Sequence, residues 1–212
     1  MKSARDGASG IYQKLANGAG QEELLLNGPD VYPTDRSRDG KDLLYFRTDP
    51  RTKGDLWVLP LSGDRQPKPY LQSEFSEGNG QFSPDGRWVA YISDESGRLE
   101  VYVQPFPGPG AKWQISTDGG ILPKWRADGK ELFYFNQGKM IAVDVNAGAQ
   151  FVAGVPRVLF EVAANFQGIH NGDHYAVSAD GRRFLFALPR EEAGPAYITV
   201  VQNWQKAVTS DE

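Results

Sequence analysis

Short apolar runs alternate with clusters of Gly, Pro, Asp and Asn along the whole chain. This is a pattern of strands and turns, and no run of useful length has the 3.6-residue period of a helix. Four places share one phrase: Ser37-Arg38-Asp39-Gly40-Lys41, Ser83-Pro84-Asp85-Gly86-Arg87, Arg126-Ala127-Asp128-Gly129-Lys130 and Ser178-Ala179-Asp180-Gly181-Arg182. Apolar residues follow each glycine at three and five positions: Leu43 and Tyr45, Val89 and Tyr91, Leu132 and Tyr134, Phe184 and Phe186. Positions two apart share one face of a strand. Asp-Gly between apolar runs marks a tight turn, because glycine takes positive φ without a Cβ clash. The predicted unit is therefore a strand, an Asp-Gly turn, and a second strand with one buried aromatic.

Further strand-like runs follow each pair. Third strands are predicted at Leu56–Leu59, Leu99–Val103, Lys139–Val143 and Tyr197–Val201. Fourth strands are predicted near Lys68–Leu71, Lys112–Ile115 and Val158–Phe160. Four strands in each unit of roughly 40–50 residues is the arithmetic of a β-propeller blade. The expected fold is all-β, a propeller of about four four-stranded blades in a single domain spanning 1–212. The blades are expected near 31–72, 79–116, 121–160 and 173–204, with a tail at 205–212. A β-sandwich with several Asp-Gly hairpins is the competing architecture, but nothing in a sandwich requires the same aromatic offset four times.

The N-terminal segment aligns with the interior of a blade. Ser3–Gly20 lies on Ser93–Gly110 without a gap, matching Gly7 to Gly97, Tyr12 to Tyr102 and Gly18 to Gly108, and Leu25 falls opposite Ile115. The chain is thus expected to open before the third strand of a partial blade at about 8–27. Glu23–Leu26 could then close the ring beside Tyr197–Val201, leaving Ile11–Lys14 as an extra strand. An open arc, or completion by self-association through free strand edges, are the alternatives.

The five tryptophans, Trp57, Trp88, Trp113, Trp125 and Trp204, are expected to pack between blades. The net charge is −4 with no basic stripe, which argues against nucleic acid as a partner. Cysteine is absent, excluding thiol catalysis, thiolate metal sites and disulfides and leaving the cellular compartment open. No signal peptide or membrane-spanning run is read in the chain.

The repeats resemble TolB-type, WD-like β-propeller repeats; the nearest copy is Phe82-Ser83-Pro84-Asp85-Gly86-Arg87-Trp88-Val89-Ala90-Tyr91. Only this copy keeps the family's proline. Val103-Gln104-Pro105-Phe106-Pro107-Gly108, Trp113-Gln114-Ile115-Ser116, Pro123-Lys124-Trp125, Tyr175–Phe186 and Ile198–Trp204 resemble a narrower group. This is the propeller that follows the kinase domain in bacterial eukaryotic-like serine/threonine protein kinases. The resemblance implies a sensor or interaction module, extracytoplasmic in its parent protein. Kinase activity does not transfer, because the glycine-rich loop with its strand lysine, the His-Arg-Asp loop and Asp-Phe-Gly are all missing.

The chemistry-bearing candidates are few. No Gly-x-Ser-x-Gly or His-Glu-x-x-His motif is present. Gly168-Ile169-His170-Asn171-Gly172-Asp173-His174 holds both histidines beside an aspartate. His170, Asp173 and His174 could hold Zn²⁺ and activate a water. Asp35, Asn79, Asp118 and Asn171 are expected on the loops leading into the inner strands, where oxygen ligands could gather for Ca²⁺. A polar surface loop is the plainer reading of the histidine segment. The first expectation is a non-catalytic module presenting these loops to a protein, peptide or small ligand. The alternatives are a metal-dependent ester, lactone or phosphoester hydrolase, and a propeller fragment without selected function. The Asp-Gly turns are expected to set architecture rather than the site, since they leave the inner strand at the opposite end.

Overall fold

The computed structural model describes residues 2–5, 8–108, 110–148, 150–164, 166 and 174–188. Among these residues every regular element is a strand, and no helix is long and apolar enough to cross a membrane. A partial blade contains β1 (Lys2–Arg5), β2 (Ala8–Gln13) and β3 (Glu23–Asn27), paired in that order. Blade 1 contains β4 (Val31–Arg36), β5 (Asp42–Asp49), β6 (Lys53–Pro60) and β7 (Lys68–Leu71). Blade 2 contains β8 (Glu77–Phe82), β9 (Trp88–Ser93), β10 (Glu100–Pro105) and β11 (Trp113–Gln114). Blade 3 contains β12 (Ile121–Trp125), β13 (Glu131–Asn136), β14 (Lys139–Ala147), β15 (Phe151–Ala153) and β16 (Arg157–Glu161). The fourth blade contains β17 (Tyr175–Val177) and β18 (Phe184–Phe186).

Blades 1 and 2 are antiparallel meanders in the predicted order. Blade 3 differs in one respect: β14 is long enough to pair with β16 along one stretch and with β15 along another. The N-terminal unit also gains a strand, because β1 pairs with β2 on the side away from β3. Among the described strands β3 pairs only with β2, and no ring closure is seen. The predicted strand Tyr197–Val201, Trp204 and the tail at 205–212 lie outside the described residues.

The turn phrase builds the same hydrogen-bond module each time. In blade 1 the Ser37 hydroxyl donates to Asp39 Oδ1 at 2.8 Å and accepts from Asp42 N at 2.9 Å. Ser83 does the same with Asp85 (2.6 Å) and Trp88 N (3.0 Å). Ser178 repeats it with Asp180 (2.5 Å) and Arg183 N (3.0 Å). The third copy has arginine in place of serine, and there Arg126 Nε and Nη2 grip the two oxygens of Asp128 at 2.7 and 2.9 Å. In all four, the aspartate also accepts from the backbone N–H two residues on, and the glycine has φ between 71 and 75°. An Asp side chain that satisfies backbone donors fixes the turn in a way a bare Gly-Gly would not.

The hairpins stack face to face. In β5, Leu43 and Tyr45 pack toward the partial blade with Ile11 and Leu59. Leu44, on the other face, packs against Phe82 and Val89 of blade 2. In β9, Tyr91 lies with Leu56 of blade 1, while Trp88, Ala90 and Ile92 face Leu132, Tyr134 and Phe151 of blade 3. Phe133 and Phe135 then face Tyr175, Phe184 and Phe186. β5, β9 and β13 are thus buried on both faces, and the recurring aromatic points to the preceding blade. Gly80 of β8 is where two blades come closest: a Cβ there would sit 2.5 Å from Leu44 Cδ2 and 3.1 Å from Leu56 Cδ1.

Two consequences can be measured. Gly80→Ala overpacks the junction between blades 1 and 2, with an expected loss of about 1–3 kcal/mol in urea unfolding; an unchanged midpoint would remove the close approach. The bonds from Ser37 and Lys41 lower the Asp39 carboxyl to about 2, and Arg126 with Lys130 N lowers Asp128 to about 2. Folding lowers both values, so their contribution is complete above the ordinary carboxylate range of about 4 and is lost as pH falls toward about 2. The urea midpoint should fall through that window, less steeply in Asp128→Asn, and a flat profile would contradict the assignment.

Candidate functional site

The inner strands of blades 1, 2 and 3 each carry an irregularity in register. The register of β4 shifts between Pro33 and Asp35, that of β8 between Gly78 and Gln81, and that of β12 between Ile121 and Lys124. Asn79 (φ 48°) and Leu122 (φ 56°) occupy the left-handed region at these bulges. That region is costly for a leucine and persists only where packing dictates it. A bulge re-aims backbone groups out of the ladder, and here they meet the next blade: Tyr175 OH donates to Leu122 O at 2.9 Å.

The same lashing runs across the other inner strands. Gln81 Nε2 donates to Thr34 O (3.0 Å), Phe82 N donates to Asp35 Oδ2 (2.8 Å), and Trp125 Nε1 donates to Gln81 O (3.2 Å). Asp35 lies inside β4, near the Asp-Gly turn rather than on the loop leading in, and its carboxylate is committed to blade 2. Asn79 lies at the bulge within β8.

Asp118 does lie on a loop leading into an inner strand. Its Oδ1 accepts from Arg98 Nη1 at 3.2 Å, and its carbonyl accepts from Asn136 Nδ2 at 3.0 Å. Arg98 also donates to buried Glu100 at 2.8 Å and to Thr117 O at 2.5 Å. Asp35 thus bonds across to the inner strand of blade 2, while Asp118 bonds to the connection between β9 and β10. His170, Asn171 and Asp173 lie outside the described residues. His174 precedes β17, stacks on Phe166 with ring centroids 4.7 Å apart, and has a buried Nε2 with no hydrogen-bond partner among the described residues. No group of three or more His, Asp or Glu side chains forms a metal cluster among the described residues.

Concave surface is found at the turn end. A groove of about 430 Å³ runs between the second and third Asp-Gly turns and the connection from β14 to β15. Arg38, Pro84, Arg87, Lys130 and Gly148 are among its walls. A second groove of about 350 Å³ adjoins it, sharing Arg38, Pro84 and Asp85 and reaching Phe106. The carboxylates of the first groove are neutralised: Asp85 by Arg87 at 2.7 Å, and Asp128 by Arg126 at 2.7 Å. Burial acts to raise the Asp85 carboxyl, but the bonds from Ser83 and Arg87 outweigh it and hold the group below its ordinary value. Arg87 also bonds Ala147 O at 2.6 Å, so it is fixed in place. Arg38 and Lys130 are exposed and have no carboxylate partner among the described residues. A smaller cleft of about 210 Å³ lies at the other end, around Asn27–Val31 and Arg47.

Sequence reasoning missed this end because the turns read as architecture. It also missed the buried acids Asp55, Glu77, Glu100 and Glu131. The visible signal was an acid opening a third strand, in Lys53-Gly54-Asp55-Leu56 and Arg98-Leu99-Glu100-Val101.

No protein-family model matches the chain, and no curated sequence relative is found. Solved structures do match. TolB from Acinetobacter baumannii superposes with a TM-score of 0.69 at 19% identity, over 90% of this chain and 45% of that one. The putative TolB from Agrobacterium tumefaciens gives 0.59 at 19%, over 74% and 58%. An oligogalacturonate lyase in complex with manganese gives 0.57 at 16%, over 79% and 47%. The chain spans about half the length of these proteins. At such identities the likeness is one of fold: the chain is a TolB-like β-propeller arc, all-β and built of consecutive antiparallel blades.

Proposed function

We propose that this chain is a binding module, and that the groove at the turn end takes an extended segment of a partner protein or peptide bearing carboxylates. The observation that carries the reading is the pair of exposed cations, Arg38 and Lys130, on a groove whose own acids are already paired. The groove walls are hairpin turns held by side-chain bonds, so little ordering would be required on binding. Unpaired cations on a rim steer and orient an acidic partner more than they tighten it. The resemblance to propellers that follow bacterial kinase domains is in keeping with a sensing or interaction role.

A second reading has one observation in its favour. His174 Nε2 is buried without a partner, and His170, Asp173 and His174 would together suit Zn²⁺ and hydrolysis. Among the matched folds, both TolB and a lyase occur, so fold alone does not choose.

The binding reading is tested with fluorescein-labelled octa-glutamate by anisotropy, at low salt and at physiological ionic strength. Binding should weaken with salt. The double variant Arg38→Ala/Lys130→Ala should lose about 1–2 kcal/mol in total, or roughly 5- to 30-fold in Kd. Absence of binding at low salt, or equal affinity in the variant, would refute the groove. Metal-dependent ester turnover abolished by His174→Ala would favour the hydrolase instead.

A further inference from the structure

Blades 1 and 2 use the same device at their outer junctions, with one difference in charge. In blade 2 the first residue of β10 is Glu100, 1% exposed. Its Oε1 accepts from Gly119 N at 2.9 Å and Arg98 Nε at 2.8 Å, and its Oε2 accepts from the Ser116 hydroxyl. The buried anion is thereby hydrogen-bonded at both oxygens and neutralised by an arginine.

Asp55 holds the corresponding place in blade 1: Leu56 pairs with Phe46 as Val101 pairs with Ile92. It is 0% exposed. Its Oδ2 accepts from Thr52 Oγ1 at 2.8 Å and from Gln72 Nε2 at 3.3 Å. Its Oδ1 is buried with no hydrogen-bond partner among the described residues. The position of Arg98 is taken by Lys53, which is exposed and makes no ion pair with Asp55 among the described residues. A second acid is added: Glu77, the first residue of β8, is 4% exposed. Its Oε1 accepts from Ser73 Oγ at 2.5 Å, while its Oε2 is also buried with no partner. Asp55 and Glu77 feel each other's charge. Where the neighbouring junction has one acid and an arginine, this one has two acids and, among the described residues, no cation paired with either. Buried carboxylates left in that condition cost several kcal/mol, which is why such groups acquire a counter-charge.

We infer that the junction between blades 1 and 2 binds a hard divalent cation of the calcium class between Asp55 and Glu77. Asp55 Oδ1 and Glu77 Oε2 are the anionic donors, and Thr52, Gln72 and Ser73, which bond the other oxygen of each carboxylate, bring neutral side-chain oxygens to the same junction. An all-oxygen set with two carboxylates suits Ca²⁺ over Zn²⁺, and an irregular loop suits it over Mg²⁺, which demands near-octahedral geometry. The segment from Gln72 to Glu77 links the outer strand of blade 1 to the inner strand of blade 2, so the ion would fasten one blade to the next.

The proton is the competitor. Burial raises the Glu77 carboxyl to about 7, with Asp55, Glu95 and Asp94 adding to the rise and the Ser73 bond opposing it. The groups facing it are Asp55 of β6, Tyr91 of β9, and Asp94 and Glu95 after β9. Glu95 is paired with Lys112, and Asp94 accepts from Ser76 N at 2.8 Å.

The test is thermal unfolding of the full chain, freed of metal with a chelator and then titrated with CaCl₂ or MgCl₂ at mildly acidic and mildly alkaline pH. A Kd on the order of 0.1–1 mM is expected for a site with so few carboxylates. Millimolar Ca²⁺ should raise Tm at alkaline pH, do so less in acid, and act more strongly than Mg²⁺. The near-isosteric variants Asp55→Asn and Glu77→Gln should each abolish the Ca²⁺ shift, and Glu77→Gln should be at least as stable as the metal-free parent at alkaline pH. A Tm unmoved by Ca²⁺ at alkaline pH, or a shift that survives in both variants, would overturn the site.

Discussion

Everything described here depends on the contact between the faces of consecutive blades. A four-stranded sheet with two apolar faces cannot stand alone in water, and each blade here covers a face of the next. β5, β9 and β13 are buried on both sides, so removing one blade would expose the next. The inner strands add polar bonds that a smooth sheet could not make. The bulge at Leu122 turns its carbonyl toward Tyr175, and Asp35 reaches the amide of Phe82. These bonds fix the rotation of each blade about the one before it, and with it the grooves between the turns.

Much of the fold was legible in the sequence because one turn phrase encodes it. Asp39, Asp85, Asp128 and Asp180 all cap the same turn, and serine assists in three of them. The third copy shows why the phrase tolerates change: Arg126 replaces a hydroxyl bond with two charged ones. The aromatic five residues past each glycine was equally informative, since period-two alternation determines which blade it touches. Less was legible where no residue type announces the geometry. Leu122 and Asn79 adopt positive φ without being glycine, and β1 and β15 pair through backbone groups in segments of only four and three residues.

The site was harder to read than the fold. Asp35 read as a candidate ligand because it was expected on a loop leading into an inner strand, yet it lies within β4 and its carboxylate bonds the next blade. Asp55 and Glu77 were passed over in the sequence, because burial at a junction is a property of the arc and not of the local run. Arg38 and Lys130 lie within the turn phrase itself, where the structural role of the aspartates hid the exposed cations beside them. Polar residues in this fold mostly connect blades, so function is read from the charges left over once those connections are assigned.

Blade-to-blade burial as the organising constraint is tested most directly by native-state hydrogen exchange across a denaturant series, following the amides of β5, β9 and β13. If interlocked faces and inner-strand bonds unite the blades, the slowest amides of all three strands should converge on one opening free energy with one denaturant dependence. Three separate opening energies, with one blade exchanging while its neighbours stay protected, would mean that the blades are independent units and would contradict this account.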